Sequence, residues 1–134
     1  MPRRRYAHMR QWETIITDRF IQKKIMPGNY TYDVHLKVRE SPLPEYMSEN
    51  ERLLWNRITA KRIDIVIKTM DTIYVCEVKD RLRPSAIGQA LTYKTLYKEQ
   101  FKPTKKVIPA IICEYTDLDM LHVAKVYNII VWRV

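Results

Sequence analysis

Two short runs decide the fold: residues 62–68, R-I-D-I-V-I-K, and residues 72–79, T-I-Y-V-C-E-V-K. Both are rich in β-branched residues, and only Thr69, Met70 and Asp71 separate them, so they read as the two buried strands of a hairpin. Side chains alternate faces along a strand. Ile73, Val75, Glu77 and Lys79 therefore share one face of the second strand, and Tyr74, Cys76 and Val78 share the other. In the first strand Arg62, Asp64 and Val66 face one way, and Ile63, Ile65 and Ile67 the other. Asp64, Glu77 and Lys79 thus stand among positions that otherwise read as core.

Upstream of the hairpin, residues 1–6 form a basic arm and residues 7–134 a single domain. Trp12, Ile15, Ile16 and Phe20 recur at helical spacing, which predicts a helix over 7–25 ended by Pro27, Gly28 and Asn29. Tyr30, Tyr32, Val34, Leu36 and Val38 alternate with polar partners, the pattern of a half-buried strand. Residues 41–49 read as irregular and lead into a short helix over 50–56. Downstream, a helix is expected over 85–100 with Ser85 as a plausible N-cap. A strand follows over 105–113, where Pro109 argues for an edge or a bulge. Residues 114–121 read as a turn or short helix, and 122–134 as a final strand, split near Asn128. This order predicts an α/β fold with a central mixed β-sheet flanked by helices, in which the helix after the hairpin crosses over to a parallel strand.

Composition narrows the function classes. The chain has 134 residues, 46% of them hydrophobic, enough for one real core. It has only two glycines, and no glycine-rich phosphate loop exists. Lys and Arg total 24 against 15 Asp and Glu, a formal charge of +9, which favours a polyanionic partner, nucleic acid before an anionic membrane surface. Cys76 and Cys113 sit in apolar runs and read as small buried hydrophobes rather than ligands. His8, His35 and His122 lack metal-ligand spacing. No run approaches a membrane span, and the first ten residues lack a signal core. The expectation is a soluble intracellular protein without a membrane partner, in a prokaryotic cytoplasm or a virus-infected host.

The charged trio carries the chemistry. Burying such groups costs several kcal/mol each unless they are paired or bind metal. Two close carboxylates repel, and a divalent cation relieves that repulsion; all-oxygen donors suit Mg2+, with Mn2+ able to substitute. Asp64 and Glu77 would hold the ion, and Lys79 would orient water or neutralise charge developing on a phosphate. The structural alternative is a cross-strand salt-bridge cluster.

R-I-D-I-V-I, a short hairpin and Y-V-C-E-V-K together resemble the core of the PD-(D/E)XK nuclease superfamily, and G-Q-A-L-T-Y-K (88–94) is similar to the Q-h-x-x-Y helix of its RecB-like branch. The resemblance covers about residues 11–115 and is specific over 62–93. It implies a restriction-endonuclease-like fold, as in RecB-like and archaeal junction-resolving nucleases, and a Mg2+-dependent DNA endonuclease. The metal would be held by Asp64, Glu77 and the carbonyl of Val78, with Lys79 catalytic. Gln89 and Tyr93, four residues apart on one helix face, would touch substrate or support Lys79. A first-helix acid common in the family falls on Glu13, with Glu40 and Glu51 as rivals. The family's proline is replaced by Ile63, and the cysteine cluster of Cas4-like members is missing. The glycine-rich approach to the aspartate in archaeal resolvases is replaced by T-A-K-R.

Arg3, Arg4, Arg5 and Arg10 before or on the first helix, and Arg81 and Arg83 just past the catalytic strand, fit DNA phosphate contacts, though each is also an ordinary surface charge. Two copies about a two-fold axis would address both strands of a duplex, with 126–134 and Trp132 as the homodimer interface or as an edge strand. Two further classes stay open: an inactive nucleic-acid-binding protein of this fold, and a structural or assembly protein with a buried ion network.

Overall fold

The computed structural model of the chain describes residues 9–37, 39 and 42–134. Arg3, Arg4, Arg5 and Glu40 lie outside the described residues. The elements are α1 (Gln11–Gln22), β1 (Asn29–Leu36), α2 (Glu49–Thr59), β2 (Lys61–Lys68), β3 (Thr72–Arg81), α3 (Pro84–Phe101), β4 (Lys106–Tyr115), α4 (Leu118–Val126) and β5 (Ile130–Arg133). The strands form one mixed sheet in the order β1-β2-β3-β4-β5. β1, β2 and β3 pair antiparallel, whereas β3–β4 and β4–β5 are parallel, so α3 is the crossover expected from the sequence. No described helix is long and apolar enough to cross a membrane.

Two apolar layers hold the sheet. Ile16 and Phe20 of α1 pack on one face with Ile65, Ile67, Cys76, Val78, Ala110 and Ile112. On the other face Val66, Ile73, Val75 and Val107 pack with Tyr97 of α3. Ile111 and Cys113 meet Ala86, Ile87 and Ala90 of α3 and Ala124 of α4 there as well. The alternation along β3 and β4 that the sequence predicts is thus the division between α1 and the α3–α4 layer. α2 differs, because it has no buried residue and leaves Leu53, Leu54, Trp55 and Ile58 exposed. Glycine is required at Gly28, where a Cβ would meet the Lys68 carbonyl oxygen at 2.8 Å as the chain enters β1.

Two expectations need correction, and two others are refined. The short helix expected within 114–121 extends over 118–126, so 122–126 are helical, not strand: Asp117 caps α4 by accepting from the Met120 N–H at 2.9 Å, and Ala124 is buried against the α3 layer. The β-branched residues Val123 and Val126 argued for a strand, but packing of one helical face overrode that preference. Asn128 then turns left-handed at φ 57°, and only the last residues form β5. β5 is the edge strand of the sheet, one of the two roles expected for 126–134, and its Trp132 lies against Phe20 at 5.2 Å and Tyr74 at 5.4 Å between ring centroids. Ser85 is not the N-cap of α3. Arg83 takes that position without a side-chain bond, and Pro84 supplies the fixed φ of the first turn. Pro109 sits in an inner strand, yet β5 pairs with β4 only from Ala110, so β4 is locally an edge at the proline.

Candidate active site

The β2–β3 hairpin closes through Thr69, whose N–H donates to the Thr72 carbonyl at 2.8 Å. From there the main-chain ladder runs back only to Ile65↔Cys76. At the next step the Val78 N–H donates to Asp64 Oδ2 at 2.8 Å, so a carboxylate stands where a main-chain carbonyl would accept. In an extended strand the N–H and C=O of one residue point to the same side. The Val78 carbonyl therefore also points towards β2 and Asp64. Strict alternation lapses here: Ile63 packs with the layer of Val66 rather than with Ile65 and Ile67. Across the β1–β2 pair, between Tyr32↔Ile65 and Val34↔Ile63, lies Asp33 with a left-handed φ of 55°. The hairpin face is thus re-aimed around Asp64.

Asp64 and Glu77 are 6% and 3% exposed, and their side chains meet. Burial, then the charge of Asp64 and a hydrogen bond with it, push the Glu77 carboxyl well above its usual range; the Lys79 charge and the Asp64 N–H pull the other way. Two buried carboxyls in contact favour a shared proton or a bound cation. Glu77 Oε1 is buried without a hydrogen-bond partner among the described residues. An orphaned oxygen, a second carboxylate and a main-chain carbonyl on one side fit a hard divalent cation. The half-buried Lys79 lies within electrostatic reach of Glu77, as its face on β3 predicts.

α3 brings Tyr93 to the same place. Burial, then the charges of Glu77 and Asp64, push its phenol up to about 12, so it remains a hydroxyl donor at neutral pH. One turn earlier Gln89 Oε1 is buried without a hydrogen-bond partner among the described residues. The Cys76 thiol, behind the site on the α1 side, is also pushed up, by burial first and then by Glu77 and Asp64. A buried, protonated thiol is not a nucleophile.

Other sequence-predicted residues go elsewhere. Glu13 lies in the first turn of α1, the helix that covers the opposite face from Val66 and Val75, and it keeps interactions of its own. Among the described residues no group of three or more His, Cys, Asp or Glu could hold a metal, so Glu13 is not gathered with Asp64 and Glu77. Glu51 serves the N-terminus of α2, where its N–H donates to Ser48 Oγ at 3.2 Å. Arg83 grips Asp80 through Nη1 at 3.0 Å and Nη2 at 3.2 Å. Slight desolvation raises the Asp80 carboxyl, but hydrogen bonds from the Arg81 N–H and from Arg83 outweigh it and hold the group below its usual range. Arg81 is exposed at the end of β3, and Arg10 is exposed at the N-cap of α1.

The sequence reading missed Asp33. Its carboxylate lies 3.9 Å from Arg62 Nη1 and 3.8 Å from His35 Nε2, beside the β2–β3 hairpin. Its place in an alternating run made it look like a solvent-facing polar residue, and the left-handed backbone left no sequence signal. No family model, no curated protein and no solved structure matches this chain.

Proposed function

We propose that this chain is a Mg2+-dependent deoxyribonuclease of the restriction-endonuclease-like, PD-(D/E)XK kind, hydrolysing the phosphodiester backbone of DNA. The observation that carries the reading is the buried Asp64–Glu77 contact with Glu77 Oε1 left unpartnered at the ladder's end. Asp64, Glu77 and the Val78 carbonyl would hold Mg2+, or Mn2+ in its place. Bound there, the ion polarises a phosphate and lowers the pKa of a coordinated water. Lys79 stabilises the charge that grows on the phosphate as the bond breaks, and an interaction of that kind lowers the turnover barrier. Gln89 and the neutral Tyr93 hydroxyl position the substrate from α3. The charge of +9 favours the polyanion, with Arg81 a better placed phosphate contact than the Asp80-bound Arg83. A homodimer would present two such sites to the two strands, and the exposed Leu53, Leu54, Trp55 and Ile58 of α2 offer more free apolar surface for its contact than the partly buried Trp132.

The test joins metal titration by calorimetry with cleavage of labelled duplex, single-stranded, flap and four-way-junction DNA in Mg2+ or Mn2+. Wild type should bind metal and cut at least one substrate, and folded Asp64→Asn and Glu77→Gln should do neither. Equal metal binding by all three, with no cleavage, would leave the buried pair as an ion network in a non-catalytic protein.

A further inference from the structure

We infer that a basic recess beside the carboxylate pair takes one unpaired nucleic-acid strand, so that the substrate class is DNA with a single-stranded segment next to the cut, such as a flap or a fork. What happens to the strand rests on the nuclease reading above; its binding does not.

The recess has a volume of about 630 Å3 and lies between α3 and the end of the β1–β2 pair. Lys37, Arg39, Lys61 and Lys102 line it, and Glu99 is the one acid among the described lining residues. Glu99 is already bonded to Arg39, which leaves three lysines without an acid among the described lining residues. Lys61 Nζ donates to the Thr59 carbonyl oxygen, a neutral partner, at 3.1 Å. The wall leads to the site. Lys61 precedes Asp64 by three residues, roughly 10 Å along β2. Leu96 of the lining packs, with Tyr93, against the cluster that holds Ile63, the β2 neighbour of Asp64.

Size and lining select the ligand. A recess of this volume is comparable to a small-ligand pocket, so it admits one backbone but not a duplex with its two phosphate rails. No aromatic residue is among its described lining residues, which argues against base stacking and for sequence-independent contact with phosphates. A strand lying there continues from Lys61 along β2 towards Asp64.

The experiment measures binding by the full chain in Ca2+ across a salt series, using a flap duplex, a blunt duplex of the same sequence, and polyglutamate as competitor. The variant is Lys61→Ala with Lys102→Asn, because Lys102 holds a left-handed φ of 45° that asparagine tolerates; melts check that it folds, and Lys37→Ala is the second variant. Wild type should prefer the flap by about tenfold or more, and the double variant should lose that preference while keeping blunt-duplex affinity. Its salt slope on the flap should fall by about 0.7 per lost lysine contact. Equal wild-type affinity for flap and blunt DNA overturns the inference, as does an unchanged slope in both variants. Polyglutamate competing as well as flap DNA overturns it in favour of an acidic peptide. Flap preference without cleavage in Mg2+ would sink the nuclease reading and leave the recess standing; cleavage that ignores the flap would do the reverse.

Discussion

Replacing Glu77 by glutamine should change how stability depends on pH more than it changes stability at low pH. The Glu77 carboxyl is pushed well above its usual range by burial and by Asp64. A carboxyl with a raised folded-state pKa binds its proton more tightly in the folded chain than in the unfolded one, where the value is about 4.3. Its contribution is therefore fully present below about pH 4.3 and is lost as pH rises towards the folded value. Over that window the folded chain holds up to one proton more than the unfolded chain, which corresponds to a loss of about 1.4 kcal/mol per pH unit. Near the melting temperature of a domain of this length, that amounts to roughly 5 °C per pH unit. Glutamine keeps the shape and does not ionise, so the wild-type-minus-variant difference isolates Glu77 from the histidines and other carboxylates. The assay is denaturant and thermal unfolding followed by circular dichroism from pH 4 to 8, in EDTA and in Mg2+. In EDTA the variant should gain on wild type steadily as pH rises. In Mg2+ the wild-type slope should flatten, because an ion bound to the folded state alone stabilises it by mass action. Parallel pH profiles for the two proteins in EDTA would refute the buried-pair reasoning, and a wild-type slope insensitive to Mg2+ and Mn2+ would refute the cation.

Three further outcomes are expected. Lys79→Ala should bind DNA nearly normally in Ca2+ and cleave at least about 100-fold more slowly at saturating DNA, read by single-turnover kinetics; cleavage at the wild-type rate would remove Lys79 from the chemistry. Arg81→Ala should flatten the salt dependence of DNA binding by a slope of about one, whereas Arg83→Ala, already bound to Asp80, should change it less; a larger loss at Arg83 in equilibrium titrations would reverse that ranking. Gly28→Ala should cost about 1–3 kcal/mol in denaturant unfolding, because its Cβ meets backbone at Lys68 that has nowhere to move, and an unchanged midpoint would show that the β1 entry relaxes freely.

Much of the fold was legible because the signals were periodic. The alternation of 72–79 placed Val75 and Glu77 on one side of β3 and Cys76 and Val78 on the other, and the two core layers divide in that way. The short connection at Thr69 fixed the hairpin, and the α3 pattern fixed the parallel crossover to β4. Asp64, Glu77 and Lys79 were legible as a group for the same reason: charge at core positions of two adjacent strands is costly enough to signal a purpose.

Tertiary structure alone decided the rest. Residues 118–126 carry a composition fit for either a strand or a helix, and burial of Ala124 beneath α3 settled it. Glu13 had the right place in the order of elements, but α1 packs on the face away from the carboxylate pair, a choice no local pattern encodes. Asp33 came beside the site through a register between strands separated by α2, and Arg83 was drawn to Asp80 by the path of the chain into α3. Sequence period sets which way a side chain leaves its own strand or helix; which distant element lies opposite depends on how whole faces pack, and that is a property of the assembled fold.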